Sequence, residues 1–400
     1  HSFPTRRSSD LPTYACPSLV LEKGKGSYVW DEAGNRYLDF GSGIAVTALG
    51  HSHPRWVKRV QKQAATLTHV SNLYGTRNQG ELARALVRRA GAGKVFFSNS
   101  GAETNEALIK LARLHGRKKA GGAEGKIYRI VCAENAFHGR TMGGLSATPK
   151  PKVQQGFAPL LDGFDFAELN QIDSFAKTIQ SETAAVMIET IQGEGGIYPA
   201  DPVFLKELRA LCSEKEVLLI LDEVQCGIGR TGKTFAYQHS GIQPDALGMA
   251  KGLGGGFPMG AVWVSQDQAD LFTPGSHGTT FGGSPLACAA AMATLETLEK
   301  EALLEKVTKR SKKLLNRLQS LAKNYPDLIL EVRGLGYMIG ISLTVPANPI
   351  LDACRQEGLL VLSAGDKILR LLPPLTLKGK EMDQGLDILE SVFTNLNPPQ

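Results

Sequence analysis

Short apolar segments alternate with segments of helical period through most of the chain, and this alternation restricts the fold more than any other feature. Five apolar segments are rich in β-branched or aromatic residues, as buried strands are. They are Lys94–Ser98, Ile127–Cys132, Ala184–Ile188, Val217–Asp222 and Gly260–Val264. Between them, residues 103–115 and 204–212 place apolar side chains on one helical face. The pattern predicts an α/β fold with a large, mostly parallel sheet between helices, and active sites of such sheets lie at the carboxyl ends of the strands.

The pattern changes after Pro285 and predicts a second, smaller α+β domain. A long helical stretch from about Leu286 to Tyr325 precedes short strands at Met338–Leu343 and Ile368–Leu372 and a last helix through Met382–Phe393. We therefore divide the chain into a non-native or disordered tail (1–10), an N-terminal segment that joins the small domain (11–60), a large ligand-binding domain (61–285) and a C-terminal small domain (286–400).

Composition excludes several classes of protein. The net charge of +6 in 400 residues is spread along the chain, whereas a nucleic-acid-binding surface needs clustered basic residues. The six cysteines are scattered without a CxxC pair, so we predict no metal site, and free thiols favour a reducing cytoplasm. No apolar run approaches the length of a membrane span.

Two charged residues follow apolar segments at places where a ligand would bind. Asp222 ends the run VLLIL, and Lys251 stands between an apolar stretch and the glycine cluster GLGGG. Lysine forms Schiff bases when desolvation makes the free amine available. Taken alone, Asp222 could equally cap the next turn, and Lys251 could be a surface lysine beside a flexible loop.

Two loops have the composition of phosphate-binding loops. Residues 98–103 (SNSGAE) precede an amphipathic helix, whose N-terminus offers free N–H groups and a positive dipole end. An ordinary serine N-cap would have the same sequence. Residues 277–283 (HGTTFGG) form a second hydroxyl- and glycine-rich loop, and neither a Walker A motif nor a GxGxxG fingerprint after a strand occurs.

The order of the motifs is more specific than any one of them. The chain contains, in this order, SNSGAETNEALIKLAR, AFHGRT, IETIQGEGG, LDEVQCGIGRTG, AKGLGGGFP, HGTTFGG and LRLLPPLT. This series resembles the class III pyridoxal-phosphate (PLP)-dependent aminotransferases from about Leu11 to the C-terminus. The resemblance implies the fold type I architecture of aspartate-aminotransferase-like enzymes, PLP as the cofactor, and a homodimer.

The resemblance also implies a role for each residue that matches a family motif. Lys251 would be the Schiff-base lysine and proton shuttle, and Asp222 would keep the pyridine nitrogen protonated. Gln225 would contact the ring 3′-oxygen, Phe137 would stack on the ring, and Thr280 would reach the phosphate of the neighbouring subunit's cofactor. The remaining cofactor contacts implied are Ser100, Gly101, Ala102, Glu223 and Val224.

Two arginines stand at the family's carboxylate-binding positions. Arginine suits this role because its guanidinium binds a carboxylate through two parallel hydrogen bonds. Arg140 would hold the donor's carboxylate, with Thr279 lining the pocket. Arg370 would bind the second carboxylate of glutamate or 2-oxoglutarate. Glu194 would pair with Arg370 in one half-reaction and release it in the other.

The resemblance implies transamination between N2-acetylornithine and 2-oxoglutarate, a step of arginine biosynthesis. Enzymes that act on free ornithine usually carry Tyr where this chain has Ile44, which favours an N-acylated ornithine or 4-aminobutyrate. Thr47 and Ser284 depart from the common Asn at their positions and leave substrate preference open. Succinylornithine, succinyl-diaminopimelate, 4-aminobutyrate and ornithine remain alternative donors. A glutamate-1-semialdehyde aminomutase, a nucleotide-dependent dehydrogenase and a non-catalytic binding protein are more distant alternatives.

Overall fold

The computed structural model describes residues 11–15 and 17–396. The predicted tail at residues 1–10 and the cysteine at position 16 lie outside the described residues. The other five cysteines are buried free thiols. Among the described residues, no helix combines the length and the apolar character that crossing a membrane requires.

A seven-stranded sheet forms the centre of the structure, and the fold-class prediction is confirmed. Only Gly260–Ser265 runs antiparallel to its two neighbours. All other adjacent strands are parallel. In spatial order the strands are Gly93–Ser98, Gly260–Ser265, Ala246–Met249, Leu218–Asp222, Thr183–Glu189, Arg129–Ala133 and Phe164–Ala167.

Two of these strands do not stand out in the sequence. Ala246–Met249 (ALGM) and Phe164–Ala167 (FDFA) are four residues long and contain a glycine or an aspartate. Glycine and aspartate are depleted in strands, so the local signal is weakened at both places, even though Phe164 and Phe166 favour a strand. Both form because neighbouring strands supply hydrogen-bond partners, Leu218–Asp222 for the first and Arg129–Ala133 for the second.

Two of the helices that cover the sheet begin at a side chain that accepts a backbone hydrogen bond. Ser100 caps the helix Gly101–Lys119 by accepting from the Glu103 N–H. Asp201 caps the helix Pro202–Glu214 by accepting from the Val203 N–H. Such caps replace hydrogen bonds that the first helical turn lacks. The first of these caps places a helix N-terminus directly after the strand Gly93–Ser98.

The long helical stretch predicted after Pro285 is two helices, Pro285–Lys300 and Leu303–Asn324. Ala302 between them has a left-handed conformation with φ of 48°. The first helix is buried around most of its surface, whereas the second has one apolar stripe and a charged outer face. Apolar residues at helical spacing continue across the break, so the periodicity alone could not reveal it.

Two smaller sheets lie outside the central one. An antiparallel sheet contains, in order, Ile329–Leu335, Met338–Leu343, Ile368–Leu371 and Leu362–Ser363. The other contains Leu21–Lys25, Tyr28–Asp31, Arg36–Asp39 and, parallel to the last of these, Leu359–Leu360. A strand from the C-terminal part of the chain thus completes the N-terminal sheet.

The predicted domain boundary at residue 61 falls within the helix Pro54–Ala64. This helix packs against Pro285–Lys300, and Arg59 Nη1 lies 2.7 Å from Glu296 Oε1. The division into an N-terminal segment, a large domain and a small domain stays a prediction. The remaining helices are Arg77–Ala90, Met142–Ser146, Pro151–Gln154, Ile172–Thr178, Ala347–Gln356 and Gly379–Leu396, with 3-10 turns at Ala236–His239 and Lys251–Leu253 and a two-stranded ribbon of Ile191–Gln192 and Tyr198–Pro199.

The helix Gly101–Lys119 packs closely against the segment before the strand Arg129–Ala133 at position 116, which has no side chain. A Cβ on Gly116 would lie 1.9 Å from the carbonyl oxygen of Ile127. We expect Gly116→Ala to lower the free energy of unfolding by about 1–3 kcal/mol, the usual cost of overpacking. Thermal and denaturant unfolding would measure the change.

Gly80→Ala is the matched control, because Gly80 also lies within a helix and nothing stands within 4 Å of its added Cβ. Higher helix propensity should there leave stability unchanged or raise it by up to about 1 kcal/mol. Equal effects of the two substitutions would contradict close packing at Gly116.

Candidate active site

A cavity of about 410 Å³ opens where the parallel strands of the central sheet end. Its wall includes Asp222 and Glu189, the last residues of two neighbouring strands, and residues 99–102, which follow a third. Nine of the predicted site residues line it: Ser100, Gly101, Ala102, Phe137, Arg140, Asp222, Val224, Gln225 and Lys251. The cavity therefore lies at the edge of the sheet where the strand pattern places an active site.

Asp222 is a buried carboxylate that receives three hydrogen bonds. His138 Nδ1 lies 2.9 Å from Oδ2, the Asn105 amide donates to the same oxygen at 2.8 Å, and the Val224 N–H donates to Oδ1 at 3.0 Å. Burial raises the pKa of Asp222, but the hydrogen bond and charge of His138 outweigh it, so the pKa lies below its ordinary value. Asp222 is therefore held as an anion at the cavity wall.

His138 is the cationic partner of this carboxylate. It is fully buried; burial lowers its pKa, whereas the hydrogen bond to Asp222 raises it, and the net pKa lies well above its ordinary value. Neither His138 nor Asn105 was predicted from the sequence to belong to the site. His138 stands inside the motif AFHGRT, and Asn105 is one turn beyond Gly101 on the same helix. Their closeness to predicted site residues was the one sequence signal that could have pointed to them.

Lys251 follows the strand Ala246–Met249 and points its amine toward the cavity. Its φ of 39° is a left-handed conformation that non-glycine residues rarely adopt. Within the described chain, no group lies within hydrogen-bonding distance of its Nζ. Burial lowers the pKa of Lys251, with nearby Glu194 opposing and Arg370 reinforcing the change, and the net pKa is lowered. A partly desolvated lysine without a hydrogen-bond partner is suited to nucleophilic attack on a carbonyl carbon.

The N-terminus of the helix Gly101–Lys119 forms another part of the cavity wall. Ser100 Oγ accepts from the Glu103 N–H at 3.2 Å, and the two preceding N–H groups, of Gly101 and Ala102, belong to the cavity-lining residues. A Cβ on Gly101 would lie 2.7 Å from Val224 Cγ1. The glycine therefore lets this helix end approach the residues after Asp222, and exposed N–H groups here suit a phosphate.

The two predicted carboxylate-binding arginines differ in their surroundings. Arg140 is exposed at the cavity, with its guanidinium 5.9 Å from the centre of the Phe137 ring. Arg370 is buried; its Nη1 lies 2.5 Å from Glu194 Oε1 and 3.2 Å from Gln225 Oε1. Burial raises the pKa of Glu194, but the charge and hydrogen bond of Arg370 lower it further, and the net pKa is lowered. Gln225 thus joins this ion pair to the cavity wall.

Six of the predicted residues do not line the cavity: Glu194 and Arg370, which pair behind Gln225, and Glu223, Thr279, Thr280 and Ile44. Thr279 and the exposed Thr280 lie on a separate groove with Phe96, although the Asn99 amide donates to Thr279 Oγ1 at 3.3 Å. Ile44, which is 41% exposed, lies in a left-handed turn, Ser42–Ala45, whose φ angles run from 47° to 64°. Such runs are strained for residues with side chains, so surrounding packing must hold this one.

Glu223 also points away from the cavity. Its carboxylate accepts from the N–H groups of Ala236 and Tyr237, at 2.6 and 2.7 Å, and from the Thr190 hydroxyl at 3.0 Å. Burial raises the pKa of Glu223 to about 7, although these three donors oppose the change. Its side chain therefore ties the loop after the central strand to the turn at Ala236–His239.

Comparison with known proteins agrees with this site. The family model of class-III aminotransferases matches residues 12–393. The chain belongs to the class-III aminotransferases. It is 47% identical over 387 residues to the acetylornithine aminotransferase of Caldanaerobacter subterraneus subsp. tengcongensis, covering 96% of this chain and 97% of that protein. It is 46% identical over 386 residues to the acetylornithine aminotransferase of Methanocaldococcus jannaschii, covering 96% of each.

Solved structures of family members share the fold. An ornithine aminotransferase from Toxoplasma gondii superposes with a TM-score of 0.93 at 31% identity, over 96% of this chain and 92% of that one. An N-acetylornithine aminotransferase from Stenotrophomonas maltophilia has a TM-score of 0.83 at 34% identity, over 96% of this chain and 97% of that one. These relatives confirm the predicted family and the fold type I architecture.

The cofactor of class-III aminotransferases is pyridoxal 5′-phosphate, and the cavity fits it. A second structure of the Toxoplasma gondii enzyme has PLP in partial occupancy at its active site. Here the cavity presents an amine without a hydrogen-bond partner at Lys251, a buried carboxylate at Asp222 and a helix N-terminus at Gly101. These groups match the aldehyde, the pyridine nitrogen and the phosphate of the cofactor, respectively.

Because both members of the Asp222–His138 pair have shifted pKa values, the stability of the cofactor-free protein should depend on pH. The raised pKa of His138 contributes stability that is fully present at pH values below 6.5, the ordinary pKa of histidine. This contribution is lost as the pH rises through the pKa that His138 has in the folded protein. The lowered pKa of Asp222 adds stability above its ordinary value of 3.8. We expect His138→Leu to lower the free energy of unfolding by about 3–5 kcal/mol near pH 5.5 and by less near pH 9. Denaturant unfolding at the two pH values would measure this, and a pH-independent loss would contradict the ion pair.

Proposed function

We propose that this protein transfers the δ-amino group of N2-acetylornithine to 2-oxoglutarate, giving N-acetylglutamate 5-semialdehyde and glutamate. The observation that carries the proposal is the identity of 45–48% to several acetylornithine aminotransferases over nearly the whole chain. The arrangement of Lys251, Asp222, Arg140 and the Arg370–Glu194 pair supports it. We place the reaction in arginine biosynthesis in the cytoplasm.

Lys251 and Asp222 would carry the central chemistry. Pyridoxal 5′-phosphate, when bound, supplies a carbonyl carbon for the amino group and a ring that takes up electrons. Lys251 Nζ would hold it covalently and, once displaced, move a proton at the amine-bearing carbon of the donor. Asp222, kept ionised by His138, would hold a proton on the pyridine nitrogen.

Other residues of the cavity wall would orient the cofactor. Phe137 and Val224 line the cavity and would pack against the ring, and Gln225 would contact its 3′-oxygen. The N–H groups of Gly101 and Ala102, after the cap at Ser100, would bind the phosphate. The Glu223 side chain, which points away from the cavity, would hold the loop that follows Asp222 in place through its hydrogen bond with the Ala236 N–H.

The two arginines would separate the two half-reactions. Arg140, exposed at the cavity, would bind the α-carboxylate of acetylornithine, with Thr279 beside the pocket. While Glu194 pairs with Arg370, the second arginine is neutralised and does not trap the donor. When 2-oxoglutarate enters, Arg370 would bind its second carboxylate and Glu194 would move aside.

The active unit that we propose is a homodimer. Thr280 is exposed on the isolated chain and would bind the phosphate of the partner's cofactor. The next residue, Phe281, is a large apolar side chain that is 61% exposed, and its ring lies 5.1 Å from the His69 ring at a tilted angle. A surface of this kind is typical of one that another chain covers.

The first test is spectroscopic. We expect protein purified with PLP to show the absorbance of lysine-bound cofactor, to lose it on addition of N2-acetylornithine alone, and to regain it with 2-oxoglutarate. Lys251→Ala should not show this absorbance, because it lacks the amine that holds the cofactor. Loss of the band with 4-aminobutyrate, succinylornithine, succinyl-diaminopimelate or free ornithine but not with acetylornithine would leave the family intact and replace the donor. If no donor bleached the band, transamination itself would be contradicted.

Ile44 provides a second test, of donor choice. Ile44 stands where enzymes that act on free ornithine usually carry Tyr, so we expect Ile44→Tyr to lower kcat/KM for N2-acetylornithine by about 10-fold or more, a usual effect of pocket shape. The rate with free ornithine should rise relative to it. The 2-oxoglutarate half-reaction is the internal control and should not change. An unaltered donor ratio would exclude Ile44 from the donor pocket.

A further inference from the structure

A third cation, Lys150, lies beside the Arg370–Glu194 pair, and the family resemblance assigned it no role. Lys150 is half-buried, and its Nζ donates to the main-chain carbonyl of Glu194 at 2.8 Å. We propose that Lys150 is a positioning residue that receives the Glu194 carboxylate when Arg370 binds the second carboxylate of the oxo acid. This inference rests on the proposed function, because it concerns the half-reaction with 2-oxoglutarate.

The backbone around Glu194 is held on both sides. The Gly193 N–H donates to Glu189 Oε2 at 2.9 Å, and Lys150 holds the Glu194 carbonyl. Glycines on either side allow close packing: a Cβ on Gly193 would lie 2.6 Å from the Gln225 side chain, and one on Gly195 would lie 2.8 Å from the carbonyl oxygen of residue 135. With the main chain held in this way, release of Arg370 must occur by rotation of the Glu194 side chain.

A rotated Glu194 needs a new partner. Its side chain is only 29% exposed, and a carboxylate removed from water without a compensating hydrogen bond or charge is strongly destabilised. The cations whose charges lower the pKa of Glu194 are Arg370, Lys251 and Lys150. In the second half-reaction Arg370 is engaged with substrate and Lys251 serves the cofactor.

Lys150 is the cation of this set that remains. An ammonium has three N–H donors, and the Glu194 carbonyl uses one of them. The same side chain can therefore hold the main chain of residue 194 and accept its carboxylate as a hydrogen-bonded ion pair. Lys150 would stabilise the state in which Arg370 is free, and this state is required only by an oxo acid with a second carboxylate.

The experiment compares two amino acceptors in Lys150→Met holoenzyme. The cofactor's absorbance is followed as the aminated enzyme reacts with 2-oxoglutarate or with N-acetylglutamate 5-semialdehyde, whose single carboxylate is the one that Arg140 holds and whose carbonyl carbon bears none for Arg370. We expect the second-order rate constant for 2-oxoglutarate to fall by about 10-fold or more, the size of a lost charge-assisted hydrogen bond, mainly through a weaker apparent affinity. The rate constants for the semialdehyde and for N2-acetylornithine should change by less than about 3-fold.

Two further variants separate this role from a structural one. Lys150→Arg should restore most of the preference for 2-oxoglutarate, because it keeps the charge and donors. Lys152→Met removes an exposed lysine two residues away and should behave like the wild type. If Lys150→Met does not fold, Lys150→Gln keeps a donor for the Glu194 carbonyl without the charge and should show the same selective loss.

The outcomes distinguish the inference from the proposed function. If wild-type enzyme does not react with N2-acetylornithine or 2-oxoglutarate, the proposed function fails before Lys150 is considered. If the wild type reacts and Lys150→Met slows both amino acceptors equally, or neither, the inference about Lys150 is overturned while the function stands.

Discussion

The buried anion of Asp222 is the interaction on which the rest of the site depends. A carboxylate is stable in this position only because His138, Asn105 and a backbone N–H all donate to it. Those donors come from three different elements: the loop after Arg129–Ala133, the helix Gly101–Lys119 and the turn after the central strand. The same contacts that keep the charge therefore hold together the segment of Phe137 and His138, the N-terminal part of the helix Gly101–Lys119 and the strand that carries the aspartate. Stability and cofactor chemistry are linked at this point.

Charge also organises the region behind Gln225, next to the cavity. Arg370, Lys251 and Lys150 surround Glu194, and each of them lowers the pKa of its carboxyl. One anion among three cations has more than one favourable partner, so a rotation of its side chain need not leave it unpaired. The buried Glu189 carboxylate accepts from the N–H groups of Phe137 and Gly193, and so joins the backbone next to Glu194 to the segment that carries Phe137. The proposed reaction uses a donor with one carboxylate and an oxo acid with two. Such an arrangement would let Arg370 be paired with Glu194 for the first and free for the second.

Particular elements show why some features were predictable from the sequence. The strand Leu218–Asp222 and the helix Gly101–Lys119 have strong periodicity and recognisable ends, and both were anticipated within a few residues. The strand Ala246–Met249 was missed because its propensity is poor and its neighbours determine it. The break at Ala302 was missed because the apolar spacing continues on both sides of it. His138 was missed because a histidine next to a recognised aromatic residue has no distinctive pattern of its own.

The sequence by itself determined the α/β class, the family, and the types of residue that supply the amine, the anion and the arginines, because these depend on local periodicity and on motif order. Tertiary structure decided which of them meet. It brought Asp222 to His138 across 84 positions of the chain and Arg370 to Glu194 across 176. It also turned the Glu223 side chain away from the cavity and placed Lys150 against the Glu194 carbonyl. Contacts between residues so far apart depend on how strands and helices pack, and no local pattern encodes that packing.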